Sequence, residues 1–131
     1  MFIDASAIVA MMADENDAQL LAARMMSTTS RMTSPMALWE ASVAYGRIFG
    51  LRPGTAIREV ERYIQALGIT VIAVAPAIAA LAIDAYQRFG KGRHPAGLNF
   101  GDCFAYGCAR HLNMPLLYKG DDFSKTDIDS A

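Results

Sequence analysis

Short runs of bulky apolar residues alternate along the chain with longer stretches of helical periodicity. The runs at 2–3, 69–74 and 115–118 are rich in bulky and β-branched residues, which is typical of buried strands. Residues 31–33 and the tail near 126–128 are weaker strand candidates. Apolar spacings of three and four predict helices at about 7–13, 17–27, 35–49, 53–67, 77–89 and 101–112. Ser34 before Pro35 is a strong helix start, and Gly50 and Gly68 are helix stops.

This alternation predicts an α/β fold, because strands joined through helices pair in parallel. We expect a three-layer α/β/α sandwich with a central, mostly parallel sheet of four to five strands. A length of 131 residues fits one domain with a single sizeable core, spanning residues 1–131. Residues 88–97 form the longest stretch without periodicity and are expected to be a basic loop.

Composition adds limits on the class of protein. A net charge of -1 argues against nucleic-acid binding by bulk electrostatics, although it allows a local basic rim. Cys103 and Cys108 lie five residues apart on one predicted helix, so they point to different faces and are expected to be reduced thiols. The N-terminus lacks a basic leader, and the longest apolar stretch, 71–83, is too short to cross a bilayer. We therefore expect a cytoplasmic protein that does not bind membranes.

Carboxylates follow two of the predicted strands directly. Asp4 comes after the first strand, and Asp121 and Asp122 come after the strand at 115–118. Parallel strands end at the same edge of a sheet, where such folds place their ligands, so these acids are expected to lie close together. The alternative for Asp4 is structural, with Asp4 and Ser6 capping the helix that follows; Ser6 is the cap expected for a helix over 7–13.

Two further acids lie on helices. Glu40 has apolar neighbours three and four positions away, so its carboxylate projects from the apolar face, where an unpaired charge is costly. Asp102 lies at a helix start behind Asn99, where dipole compensation explains it without any catalysis. The same place also presents Asn99, Asp102 and the Gly101 backbone to the crevice beyond the strand ends.

Several carboxylates gathered in one place repel one another, and a hard cation relieves that repulsion. The acids on two strand ends and two helices therefore predict an oxygen-ligand site for Mg²⁺ or Mn²⁺. No Cys/His spacing suggests zinc. The histidines His94 and His111 stand alone, so surface or packing roles are expected for them.

Four segments together resemble a family of proteins. The stretches 1–8 (MFIDASAI), 98–103 (LNFGDC) and 117–123 (LYKGDDF), with the Glu40 helix between them, are similar to PIN-domain proteins of the VapC toxin type. The resemblance spans essentially the whole chain. It implies a PIN fold, an endoribonuclease dependent on Mg²⁺ or Mn²⁺, and a VapB-type antitoxin as partner. The catalytic and metal-binding positions that it implies are Asp4, Glu40, Asp102 and Asp121.

The same resemblance makes Ser6 a supporting hydroxyl, and it assigns Thr126 and Asp127 to the family's ending. Asp121 is preferred over Asp122 by its position after the glycine, and Asn99 and Asp122 are counted as supporting residues. The reaction expected is hydrolysis of an RNA phosphodiester by a metal-activated water. The RNA-binding candidates are the basic residues around the acids, Arg47, Arg52, Lys91, Arg93 and His94; each is also compatible with an ordinary solvated surface.

Other functions stay open on the sequence alone. Asp4 after a strand also suits a metal-dependent phosphatase with Asp4 as nucleophile, but such enzymes usually carry a second acid two residues on, and Ser6 stands there. A non-catalytic interaction module, with the acids as helix caps, is the other alternative. Tyr106 suits either base stacking or packing. With either alternative, a net charge close to zero and many apolar residues suit protein partners, including a second copy of the chain in a homodimer.

Overall fold

A computed structural model describes all residues 1–131 and contains one four-stranded sheet. The strands are β1 (Phe2–Ile3), β2 (Met32–Thr33), β3 (Thr70–Val71) and β4 (Leu116–Leu117), in the order β3-β2-β1-β4. Every neighbouring pair is parallel, with Phe2 opposite both Met32 and Leu116. The predicted α/β fold is confirmed, with four strands and a sheet that is parallel throughout.

Six helices connect and cover these strands. They are α1 (Ala5–Met12), α2 (Ala18–Met26), α3 (Pro35–Phe49), α4 (Pro53–Ala66), α5 (Pro76–Phe89) and α6 (Phe100–His111), followed by a 3₁₀ turn at Phe123–Lys125. The sharpest start signal is confirmed, since the Ser34 side chain accepts the N–H of Ala37 at 3.1 Å. Gly50 ends α3 with φ of 63°, a left-handed conformation that glycine adopts without strain.

The alternation of side chains along each strand divides the core between the two faces of the sheet. Ile3 and Leu117 face one core, which is completed by buried residues of α1, α2, α3 and α4. Phe2 and Leu116 face the other, which is formed with α5 and α6. The sheet is thus the middle layer of three, as the sequence predicts.

Helix α1 begins two residues earlier than expected, and Ser6 is not its cap. Asp4 takes that position in extended conformation, and its side chain accepts the backbone N–H of Ser6. Burial explains the earlier start of α1, because the buried carboxylate of Asp4 needs hydrogen-bond donors, and the first N–H groups of the helix supply one. The structural alternative for Asp4, a helix cap, is therefore present, and it coexists with the site described below.

The tail does not form the predicted strand at 126–128. The Thr126 hydroxyl donates to the carbonyl of Phe123 and accepts the N–H of Ile128, which closes a turn instead. Beyond that turn, Ser130 makes a single parallel bridge to Leu116. The tail therefore joins the sheet by one backbone bridge rather than by a fifth strand.

One ionic network fastens this tail to the α5–α6 layer. Asp127 accepts hydrogen bonds from Arg88 at 2.6 Å and from the Tyr106 hydroxyl at 2.8 Å, and Arg110 lies 3.0 Å away. Desolvation opposes ionisation of Asp127, but these donors outweigh it and lower its pKa to about 2. Tyr106 is only 2% exposed, so it packs rather than stacking on a ligand.

Cys103 and Cys108 are both buried and unpaired, as expected. Burial raises the pKa of each thiol to about 11, so both are inert neutral thiols at neutral pH. None of the helices has the length and apolar character needed to cross a membrane.

Candidate active site

Asp4 is fixed where β1 ends and α1 begins. Its side chain is 4% exposed, and one carboxylate oxygen accepts the Ser6 N–H at 2.9 Å and the Ser6 hydroxyl at 2.5 Å. Burial raises the pKa of Asp4, and the bonds from Ser6 oppose that shift. The Ser6 oxygen in turn accepts the N–H of Lys119 at 3.0 Å. One hydroxyl therefore ties Asp4 to the chain that leaves β4.

Glu40 reaches the site from α3, and its carboxylate lies directly on the Gly101 backbone. A Cβ atom added at Gly101 would overlap both carboxylate oxygens, so only glycine permits this approach. The pKa of Glu40 rises to about 7, first because of burial and then because of the negative charges of Asp4 and Asp102. No hydrogen bond counters these effects on its pKa.

Asp102 has two roles at the start of α6. It forms a capping box with Asn99, whose side chain accepts the Asp102 N–H at 3.0 Å while the Asp102 carboxylate accepts the Asn99 N–H at 2.8 Å. Burial nevertheless raises the pKa of Asp102 to about 6; the Asn99 bond lowers it, and the charges of Asp4 and Asp122 raise it. The helix-capping role of Asp102 is therefore present, but it does not account for the burial of this carboxylate beside other acids.

Asp121 and Asp122, the two candidates for the fourth acid, both follow β4. Gly120, with φ of 98°, turns the chain sharply, and Asp121 and Asp122 are both exposed beyond it. Only Asp122 is among the charges that raise the pKa of Asp102. This charge effect is a reason to prefer Asp122 over Asp121 as the fourth acid, the reverse of the order preferred from the sequence, and the choice between them stays a prediction.

Four carboxylates from four parts of the chain thus share one electrostatic environment: Asp4, Glu40, Asp102 and Asp122. No three His, Cys, Asp or Glu side chains are arranged at ligand distance from a common point. The donor set is nevertheless all carboxylate and mutually repelling; Asp4 is buried, Glu40 and Asp102 are partly buried, and Asp122 is exposed. A hard divalent cation satisfies such a set, so the residues fit one.

The basic candidates Arg47, Arg52, Lys91 and Arg93 are all exposed, and none of them is among the charges that shift the pKa of Asp4, Glu40 or Asp102. Lys91 and Asn99 line one cavity, and Arg52 lines another with Arg58 at the start of α4. The Arg93 guanidinium lies 5.0 Å from the centre of the Tyr86 ring. Arg47 is exposed in the last turn of α3. Their role in binding RNA stays a prediction.

His94 has a local structural role. Its Nδ1 accepts the N–H of Ala96 at 3.1 Å, and its ring packs edge-on to Phe89 at 5.3 Å. This agrees with the packing role expected for it and leaves its part in RNA binding a prediction.

Sequence reasoning missed two large aromatic side chains beside these acids. Trp39 is 65% exposed and Phe100 is 71% exposed, and both line a cavity with Glu40. The available signal was their position, since each directly precedes a residue of the site in the chain. It also missed Lys119, whose ammonium pairs with Glu15 and lies 3.5 Å from Asp17, fastening the chain after β4 to the α1–α2 turn.

Comparison with known proteins adds independent information. The family model described as "PIN domain" matches residues 1–129. The chain is 42% identical over 128 residues to a VapC ribonuclease of Mycobacterium bovis, covering 98% of this chain and 95% of that protein. It belongs to the PIN-domain family of VapC ribonucleases.

Further comparisons agree with this assignment. The ribonuclease VapC of Mycolicibacterium smegmatis is 41% identical over 128 residues, covering 98% of this chain and 97% of that one. Among solved structures, the Mycobacterium tuberculosis toxin VapC20, described as cleaving the sarcin–ricin loop, superposes with a TM-score of 0.75. That match covers 99% of this chain and 97% of VapC20 at 18% identity, and it supports the PIN fold alone.

Proposed function

We propose that this PIN-domain protein is a divalent-metal-dependent endoribonuclease of the VapC type, the toxin of a type II toxin–antitoxin pair. The observation that carries the proposal is the position of the Glu40 carboxylate against the backbone of Gly101, next to Asp102, where burial and also the charge of the buried Asp4 raise the pKa of both acids. Family membership supplies the reaction class, hydrolysis of an RNA phosphodiester.

Within this proposal, Asp4 and Asp102 hold the cation most directly, because both are anchored by hydrogen bonds. Glu40 and Asp122 complete the set, with Asp121 as the alternative to Asp122. When bound, Mg²⁺ or Mn²⁺ withdraws charge from the phosphate and lowers the pKa of a coordinated water. Ser6 orients Asp4, and Asn99 orients Asp102.

Glu40 is suited to move the proton of the attacking water. Unlike Asp4 and Asp102, Glu40 accepts no hydrogen bond from the protein, so its carboxylate is free to accept that proton as a general base. Hydrolysis adds the water oxygen to phosphorus and breaks the bond to one ribose oxygen, which takes up a proton as it leaves. Glu40 accepts the first proton and is able to return it to solvent.

The phosphatase alternative is disfavoured by the environment of Asp4. A nucleophile needs an oxygen that the substrate can reach, whereas Asp4 is only 4% exposed. A purely structural role for the acids is disfavoured as well. Helix capping explains Asp4 and Asp102, but it leaves the half-buried charge of Glu40 without a partner.

The partners proposed are RNA, a VapB-type antitoxin and a second copy of the chain in a homodimer, acting in the cytoplasm. VapC relatives support the first two. Large apolar side chains exposed on α2, α3 and α5 support protein association, among them Leu20, Ile48 and Ile83.

The test is cleavage of total RNA by the purified protein in Mg²⁺, Mn²⁺ or EDTA, with the ends mapped. We expect discrete fragments with either metal, none in EDTA, and at least a hundredfold loss in Asp102→Asn, which keeps a side-chain oxygen for the Asn99 cap. Asp129→Asn, an exposed acid elsewhere, is the matched control and should cleave normally. Wild-type cleavage by Asp102→Asn, or equal cleavage in EDTA, would refute the proposal.

A further inference from the structure

Two exposed aromatic side chains flank the acidic site. Trp39 and Phe100, with Glu40, Pro35 and Met36, line a cavity of about 280 Å³, which we call the central cavity. One water occupies roughly 30 Å³, so the space is sufficient for a planar ring. Single exposed apolar residues are common, but Trp39 and Phe100 line one cavity together, and contiguous exposed apolar surface marks an interaction site. The same cavity contains a proposed catalytic carboxylate.

The central cavity adjoins two further cavities on its Trp39 side. Trp39 also lines a cavity that reaches Gly54, and Gly54 lines the next cavity with Arg52 and Arg58. Three cavities with shared lining residues therefore lie between Glu40 and two guanidinium groups at the start of α4.

Phe100 links the central cavity to another cavity. This side chain also lines the cavity of about 610 Å³ between α5 and α6, which includes Lys91 and Asn99. Phe100 packs at 4.8 Å against Phe104. We call these four adjoining cavities the track: Arg52 and Arg58 line one end, Lys91 lines the cavity at the other end, and Trp39, Phe100 and Glu40 line the cavity between them.

We infer that unpaired bases of the RNA substrate stack on Trp39 and Phe100, on either side of the phosphate that is cut. The inference rests on the proposed function and deepens it, because it assigns two side chains that bind the bases next to the cut phosphate. Base-paired RNA keeps its bases stacked on one another, so it has no free ring faces for these side chains. Aromatic stacking tolerates different bases, since every base has a π face.

Charge gives a second reason for this mode of binding. A protein with net charge -1 has little bulk attraction for phosphates, and its acidic centre repels them. Uncharged ring faces beside the acids supply affinity without that repulsion. Arg52, Arg58 and Lys91 then take phosphates away from the centre, at the two ends of the track.

The experiment uses the intrinsic fluorescence of Trp39, the single tryptophan of the chain. A short unpaired RNA is titrated into the intact protein in EDTA, where cleavage is off. We expect quenching that saturates with the single strand and is at least tenfold weaker with the same strand annealed to its complement. Equal quenching by duplex, or none by the single strand, overturns the inference.

Variants then separate stacking from structure. Trp39→Ala and Phe100→Ala should each weaken binding of the unpaired RNA about fivefold to a hundredfold by fluorescence anisotropy of a labelled strand. Trp39→Phe should keep most of the affinity, because it keeps a ring. The matched control is Leu20→Ala, since Leu20 is similarly exposed, at 55%, and lies on α2 away from the track. An unchanged Tm shows that each variant is folded.

The outcomes distinguish the two proposals. Metal-dependent cleavage with unchanged binding by Trp39→Ala leaves the nuclease in place and overturns the stacking. Quenching by RNA without any cleavage supports the stacking and removes the nuclease. Dissociation of a dimer by Trp39→Ala, seen by light scattering without a change in RNA affinity, assigns this surface to a protein partner and overturns the inference.

Discussion

Replacing Glu40 by glutamine should make the metal-free protein more stable while abolishing cleavage. Glu40 has a pKa of about 7 because burial and the charges of Asp4 and Asp102 disfavour its ionised form. Glutamine has the same shape and carries no charge. The variant therefore removes the electrostatic penalty and leaves the contact with Gly101 in place.

The magnitude follows from the shift in pKa. A rise from an ordinary 4.5 to about 7 corresponds to at most about 3 kcal/mol at a pH above both values. Glu40 keeps some contact with solvent, which screens its charge, so we reduce this to about 1–2 kcal/mol. For a chain of this length, that is roughly 3–8 °C in Tm.

The sign of the pH dependence is fixed by the raised pKa. The folded protein binds this proton more tightly than the unfolded chain, so stability is greatest below about pH 4.5 and falls as pH rises through about 7. The difference between Glu40→Gln and wild type should therefore be largest at pH 8 and small at pH 5. Thermal unfolding in EDTA at both pH values measures it.

The matched control is Glu61→Gln, which removes an exposed charge from α4 and should change Tm by less than about 1 °C at either pH. Addition of Mn²⁺ at pH 8 should raise the Tm of wild type more than that of Glu40→Gln, because the cation relieves the same repulsion. Lower stability of Glu40→Gln at pH 8, or an equal gain at pH 5, would refute the reasoning.

Three other substitutions test separate parts of the structure. Gly101→Ala should reduce cleavage about a hundredfold, since its Cβ displaces the Glu40 carboxylate; Gly54→Ala, where a Cβ meets only a side-chain nitrogen at 3.8 Å, should not. Asp122→Asn should lose at least tenfold in cleavage rate while Asp121→Asn stays near wild type, and the opposite order would restore the sequence-based choice. Asp127→Asn should lower the free energy of unfolding in urea by about 1 kcal/mol at pH 7. Because the pKa of Asp127 is lowered to about 2, that difference should shrink as pH falls below about 4 and disappear near pH 2.

Much of the framework could be predicted because its signals are local. Ser34, Pro35 and Gly50 mark both ends of α3, and the strand–helix alternation gives a parallel sheet. The start of α1 was wrong because the cap depends on burial: Asp4 needs donors inside the protein, and Ser6 supplies them. That requirement is not visible in a pattern of apolar residues.

Three of the acids of the candidate site could be predicted from the sequence, whereas the fourth acid and the aromatic side chains beside it could not. Asp4, Glu40 and Asp102 stand out by position, and the structure brings them within electrostatic reach of one another. The choice between Asp121 and Asp122 depends on the path of the chain after the left-handed turn at Gly120, which residue types alone do not give. Exposure of Trp39 was equally hidden, since helical periodicity assigns such a residue to the core as readily as to a binding surface.

The most direct test of a shared cation site is anomalous diffraction from crystals of the protein soaked in Mn²⁺. The structure predicts a Mn²⁺ peak bounded by the carboxylates of Asp4 and Asp102, with Glu40 and Asp122 on its other sides, and loss of that peak in Asp102→Asn. A Mn²⁺ peak at another place, with these carboxylates unoccupied, would contradict the proposed catalytic centre.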